Sequence, residues 1–186
     1  MGQELSADPL LSSSEVEVSI ALPSICLMEA ISAFDWKRIE RNRLKDELDR
    51  QLRQLLRSTD IPTAKQLAAE LTQADLTNER LLSELFQRLD DYLSRVARRA
   101  ELIPISSDVV DHGVRLVREA ELDRDDALIL ASILAHSQNS ASINKAFLTG
   151  NIKDFEKDSV KALLADAGIK QFRSTHNALG WALAQH

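Results

Sequence analysis

Residues 15–22, EVEVSIAL, alternate apolar and polar positions, with Val16, Val18 and Ile20 on one side, and this period of two predicts a β-strand. Pro23 and Ser24 then supply a stop and a helix start. A helical pattern follows from Ile25 through Phe34 and Trp36 to about Arg57. Between Pro62 and Arg99, Leu67, Leu71, Leu81, Leu82, Leu85, Leu89, Leu93 and Val96 recur near helical spacing, with a break expected at Asp75 to Thr77, where ADLTNE resembles a capping sequence. Thereafter the two periods alternate. AELIPIS (100–106) reads as a strand, Ser107 to Glu119 as a helix, and a further helix starts near Asp123 and carries ALILASILA. KAFLTG (145–150) is a strand, Lys157 to Ala167 a helix, IKQFRS (169–174) a strand, and Thr175 to Gln185 a last helix. Residues 1–14 read as a loose lead-in or a helix end, with no strand. Strand and helix in alternation outside one long helical region argue for the α/β class, with a mainly parallel sheet and helices on its faces.

Composition narrows this only a little. The chain has 186 residues, 44% of them apolar, and a formal charge of −6, which suits one soluble domain with a sizeable core. No run approaches the roughly 18–20 apolar residues of a membrane span, and the N-terminus lacks the basic start and apolar heart of a signal peptide, so a cytoplasmic protein is expected. The lone cysteine, Cys26, has no internal disulfide partner and sits in PSICLMEA as a core thiol would. Charge is uneven. Lys37 to Arg57 carries eight basic residues against four acidic ones inside an acidic chain.

Position along the α/β pattern gives three carboxylates a shared address. In an open parallel sheet, strand C-termini and helix N-termini lie on one edge, where ligands bind. Glu29 lies about one turn into the helix after the first strand, Asp126 opens the helix before KAFLTG, and Asp154 follows the end of that strand. Taken alone, Asp123, Asp125 and Asp126 read as a helix cap and dipole complement, and Asp154 as a turn residue. ALILASILA is apolar on all sides, however, and a buried helix carries Asp126 inward. Carboxylates so assembled repel unless they share a cation, and Mg2+ or Mn2+ is the natural partner for oxygen ligands. Thr149 and Asn151 would orient water or the carboxylates by hydrogen bonds, with Asp125 as a neighbour of the site.

ALPSICLMEA, DDALILASIL and AFLTGNIKDF, in that order, resemble three motifs of PIN domains. The resemblance implies a three-layer α/β/α fold and a metal-dependent ribonuclease, often the toxin of a toxin–antitoxin pair. It matches Glu29 to the acidic residue of the helix after the second strand and Asp126 to the acid that opens the DAL helix. The fourth position falls on Asn151, with Asp154 three residues on. The family's opening strand, which ends in an Asp that is its first metal ligand, has no match here. Glu4 and Asp8 are acidic but follow no β-like run. The segment 36–99 then reads as a helical insertion or arm within one domain spanning 1–186.

Two functions follow. One is an endoribonuclease in which Glu29, Asp126 and Asp154 hold one or two divalent ions, while Lys37, Arg38, Arg41, Arg43 and Lys45 steer RNA toward them. The ordinary reading of those five charges is a solvated helix face with local ion pairs. The other function is a catalytically impaired PIN-like module that binds RNA or protein, through a helical arm bearing Leu44, Leu48, Leu52 and Leu55. An antitoxin or a second copy is an expected partner. The four histidines lack zinc-ligand spacing, and no glycine-rich phosphate loop or nucleophile elbow is present.

Overall fold

The computed structural model describes residues 18–58 and 60–185. In chain order the elements are β1 (Ile20–Pro23), α1 (Ser24–Leu55), α2 (Pro62–Arg99), β2 (Ala100–Ile103), α3 (Ser107–Glu119), α4 (Arg124–Asn139), β3 (Lys145–Leu148), α5 (Ile152–Phe155), α6 (Asp158–Asp166), β4 (Ile169–Phe172) and α7 (Thr175–Leu183). They form two compact units, one of Met28–Ser94 and one of the residues up to Leu27 together with those from Arg95 onward.

The second of these is the α/β unit. All its strand pairs are parallel: β1 lies on β2 with Ile20 opposite Ala100, and β3 lies on β4 with Lys145 opposite Ile169. The expected single sheet is thus, among the described residues, two separate parallel pairs with no described strand between them. Each strand is also shorter than its apolar pattern. β2 stops at Ile103 because Pro104 has no N–H to donate, which frees Ser106 to cap α3 by accepting from Val109 N at 3.3 Å. At this same end of the pair, Ser24 Oγ donates to Ile103 O at 2.8 Å and ties the start of α1 to the end of β2. Residues 1–17, with Glu4, Asp8 and the first part of the 15–22 strand, lie outside the described residues.

One helix organises this unit. Ala127, Ile129, Leu130, Ala131, Ser132 and Leu134 of α4 are all buried, as a helix apolar on every side requires, and Ser132 satisfies its hydroxyl on Leu128 O at 2.8 Å. α4 packs on α3, β1 and β2, while α6 and α7 cover β4. Leu116, Phe155, Val160, Leu164 and Ile169 complete the same core. A fully buried leucine such as Leu116 contributes about 2 kcal/mol by leaving water. After α6 the chain reverses through Gly168 at φ 68°, a left-handed conformation that glycine adopts without a Cβ penalty.

The helical unit is a hairpin built from α1 and α2. Phe34 meets Phe86 edge-on at 4.6 Å, Asn78 Nδ2 donates to Arg41 O at 3.3 Å, and Lys45 pairs with Glu79. Later positions of α1 meet earlier positions of α2, so the two run antiparallel. The break expected at Asp75 to Thr77 is absent, because α2 is continuous over 38 residues. Its would-be capping residues bond inside the helix instead: Thr72 and Thr77 donate their hydroxyls to the carbonyls of Ala68 and Gln73, each at 2.8 Å.

The α3–α4 crossing makes a testable statement. A Cβ on Gly113 would stand 2.8 Å from Leu128 Cδ2, the movable end of a side chain, and 3.5 Å from the Leu128 backbone. Gly113→Ala is expected to be near neutral, since the roughly 1 kcal/mol gained in helix propensity offsets the rotation of Leu128. Gly113→Val is expected to lose about 1–3 kcal/mol by overpacking, measured by urea denaturation.

Candidate active site

The site is built where β3 ends and α4 begins. β3 stops at Leu148, and Thr149 N still donates to Phe172 O at 3.1 Å, so Thr149 is held at the strand's end. Its Oγ1 accepts from Asn151 N at 3.1 Å, which turns the chain and places Asn151 as the N-cap of the one-turn helix α5. The sequence implies only a polar turn here, because a helix of 4 residues is too short to show a periodic pattern. Asn151 Oδ1 accepts from Asp154 N at 3.4 Å, while its Nδ2 donates to both Oδ1 and Oδ2 of Asp126 at 3.2 Å. One amide therefore links the backbone of Asp154 to the carboxylate of Asp126.

Asp126 arrives from the first turn of α4. Asp123 is the N-cap residue but makes no side-chain capping bond, so the expected capping role reduces to its charge near the helix dipole. Asp126 is half-buried and Asp125 exposed. Asp154 is buried, with 7% of its surface exposed, and its Oδ1 accepts from Lys157 Nζ at 3.1 Å. Lys157 Nζ also donates to Glu121 O at 2.6 Å. Nothing in the sequence singled out Lys157. An Asp–Lys spacing of three is common on helical turns, and the bond to Glu121 spans 36 positions without a local pattern.

The two carboxyls are pushed in opposite directions. Burial first, and then the charge of Asp154, raise the Asp126 pKa, against the hydrogen bond from Asn151. The hydrogen bond from Lys157 chiefly lowers that of Asp154, with Asn151 helping and desolvation opposing. Ionised Asp126 thus works against folding above its titration range, and that penalty is relieved as pH falls through its raised folded value. Ionised Asp154 favours folding above the ordinary carboxyl value, and its contribution is lost as pH falls through its lowered one.

The remaining sequence candidates lie in the helical unit. Glu29 is exposed there, rather than sunk in an apolar surface as its neighbours suggest. Lys37, Arg41 and Arg43 are exposed; Arg38 pairs with Asp35 at 3.2 Å and Lys45 with Glu79, so those two follow the ion-paired pattern of a solvated face. Among the described residues, no three His, Cys, Asp or Glu side chains are grouped to hold a metal ion. The pair Asp126 and Asp154 nevertheless suits a hard divalent ion. Both offer oxygen donors, they repel each other, and Mg2+ is commonly bound through one or two carboxylates with water completing its shell.

The family model of the PIN domain matches residues 10–155, and that span contains every residue of this site except Lys157. The chain belongs to the PIN-domain family. PIN domains are generally nucleases and typically use divalent metal ions. Comparison with curated proteins and with solved structures gives no match. An α/β fold is what a PIN domain implies, and the parallel strand pairs agree with it. No helix among the described residues is long and apolar enough to cross a membrane.

Stability tests the electrostatics directly. At pH 7 and without metal, Asp126→Asn is expected to melt a few degrees higher at most, because a half-buried charge is screened by solvent. The difference closes on acidification, as wild-type Asp126 takes up its proton. Asp154→Asn is expected to melt lower than wild type at pH 7 and to converge with it only in strong acid. Melting curves from pH 7 down to pH 3 for the three proteins check both signs.

Proposed function

We propose that this PIN domain is a divalent-ion-dependent endoribonuclease that hydrolyses phosphodiester bonds of single-stranded RNA at the edge formed by Asp126 and Asp154. The observation that carries the reading is the convergence of these two acids through Asn151, on the strand–helix edge where α/β proteins bind ligands. Asp126 and Asp154 would hold Mg2+ or Mn2+, and the ion would supply Lewis-acid stabilisation of the phosphate and an activated water. The chain's own groups do the positioning. Asn151 fixes the plane of the Asp126 carboxylate, Thr149 fixes Asn151, and Asp125 adds negative charge at the mouth. Glu29 enters as a further ligand from the sequence alone.

The same reading makes 36–99 a helical insertion of a three-layer PIN fold, in a cytoplasmic protein whose partners are RNA and an antitoxin or a second copy. Lys37, Arg41 and Arg43 are its exposed phosphate-binding charges. A second reading, a PIN-like binding module without catalysis, is favoured by the exposed apolar side chains of the arm, Trp36 at 63% and Leu56 at 63%.

The test is cleavage of end-labelled single-stranded RNA with Mg2+ or Mn2+ and with chelator. Wild type is expected to cut only with the ion, and Asp126→Asn and Asp154→Asn to lose at least about a hundredfold in rate, as removal of a charge-stabilising group does. Unchanged rates in both variants, or cutting in chelator, would overturn the site. Glu29→Gln, assayed alongside, reports whether that residue belongs to it.

RNA affinity separates the arm's role from the chemistry. Changing Lys37, Arg41 and Arg43 together to Ala is expected to flatten the plot of log affinity against log salt by about 2, at roughly 0.7 per lost single-strand contact. Binding of RNA with no metal-dependent cleavage would instead favour the module reading.

A further inference from the structure

We propose that Lys157 is a positioning residue whose ammonium group stands in for a second cation, so that the Asp126–Asp154 site takes a single divalent ion. The inference rests on the reading of this edge as a divalent-ion site. It starts from the two hydrogen bonds of Lys157 Nζ, one to Asp154 Oδ1 at 3.1 Å and one to Glu121 O at 2.6 Å. Asp154 is buried and Lys157 partly so, which places a fixed positive charge beside a carboxylate with little solvent between them.

Glu121 makes this contact specific. It has φ 52°, a left-handed conformation that a residue with a Cβ adopts at a cost, and it lies in the turn between α3 and α4. The conformation presents its carbonyl to the ammonium. Asp126 lies only five positions after Glu121, so one lysine fastens the backbone that leads into Asp126 to the side chain of Asp154. Asn151 bridges the same two acids by an independent route.

Charge then sets the capacity. The two carboxylates and the ammonium together leave one net negative charge. No third His, Cys, Asp or Glu is grouped with them among the described residues. A pair of divalent ions, about 3.5–4 Å apart, adds four positive charges and calls for carboxylates free to bridge. Here Lys157 engages one oxygen of Asp154, and Asn151 engages both oxygens of Asp126. One ion, with the substrate phosphate, balances these three groups, and Lys157 holds the side of Asp154 that a second ion would need.

The experiment counts bound Mn2+ by calorimetry and by electron paramagnetic resonance on the full chain, with circular dichroism to establish that each protein is folded. Wild type is expected to bind one ion. Lys157→Gln, which keeps a donor for Glu121 O but removes the charge, is expected to bind two, and Lys157→Arg one. A count of one in Lys157→Gln overturns the proposal, because a merely structural lysine would shift melting and leave the count alone. Two ions in wild type overturn it without any variant, so the test survives a variant that fails to fold. Zero ions in wild type and in Lys157→Gln remove the divalent-ion reading itself and this inference with it. Zero in wild type with one or more in Lys157→Gln also overturns it, because the native site then takes no ion at all.

Discussion

The candidate site depends on one amide side chain. Asn151 donates to the Asp126 carboxylate with its nitrogen and accepts from the Asp154 backbone with its oxygen. A carboxylate at position 151 could still accept from the Asp154 amide, but it has no hydrogen to donate to Asp126 at neutral pH and would add a third negative charge. A neutral side chain that both gives and accepts is what lets two acids approach without a cation already in place. The cost of their approach remains visible in the raised pKa of Asp126 and is offset at Asp154 by Lys157.

Such a bridge works only if the elements it joins are themselves fixed, and the fold supplies that through helix packing. α4 is buried along most of its length, so its first turn, and Asp126 with it, has little freedom to move. On the other side, Phe155, one residue after Asp154, is held in the core and stacks edge-on against Phe147 of β3 at 5.1 Å. Each of the two acids thus stands next to a buried apolar residue, Ala127 in one case and Phe155 in the other.

What the sequence revealed follows from how local each signal is. The all-apolar ALILASILA marked α4 as buried, and α3 falls on Ser107–Glu119 as expected because its amphipathic pattern and Ser106 cap are both contained in adjacent residues. That Asn151 hydrogen-bonds beside the acids was legible, since a polar side chain just past a strand end has a short list of partners. Lys157 was not, because its meaning comes from the carbonyl of Glu121, fixed by a backbone conformation that no residue type announces. The false break in α2 has the opposite cause. Thr72, Thr77 and Asn78 carry the side chains of a cap, yet each finds a carbonyl within the hairpin, and tertiary pairing overrides the local signal.

The strand pairs explain why cross-links matter so much at this edge. Four-residue parallel strands in pairs are marginal by hydrogen bonding alone, and a continuous sheet would ordinarily hold strand ends in register across several neighbours. Here β1–β2 is steadied by α4 and β3–β4 by α6 and α7. The register between the end of β3 and the start of α4 is therefore set less by the sheet than by side chains that reach across it. Asn151 supplies a neutral span and Lys157 a charged one, and they meet the backbone at two separate places, the amide of Asp154 and the carbonyl of Glu121. Two spans of different chemistry between the same pair of elements constrain both separation and twist, which a single hydrogen bond does not.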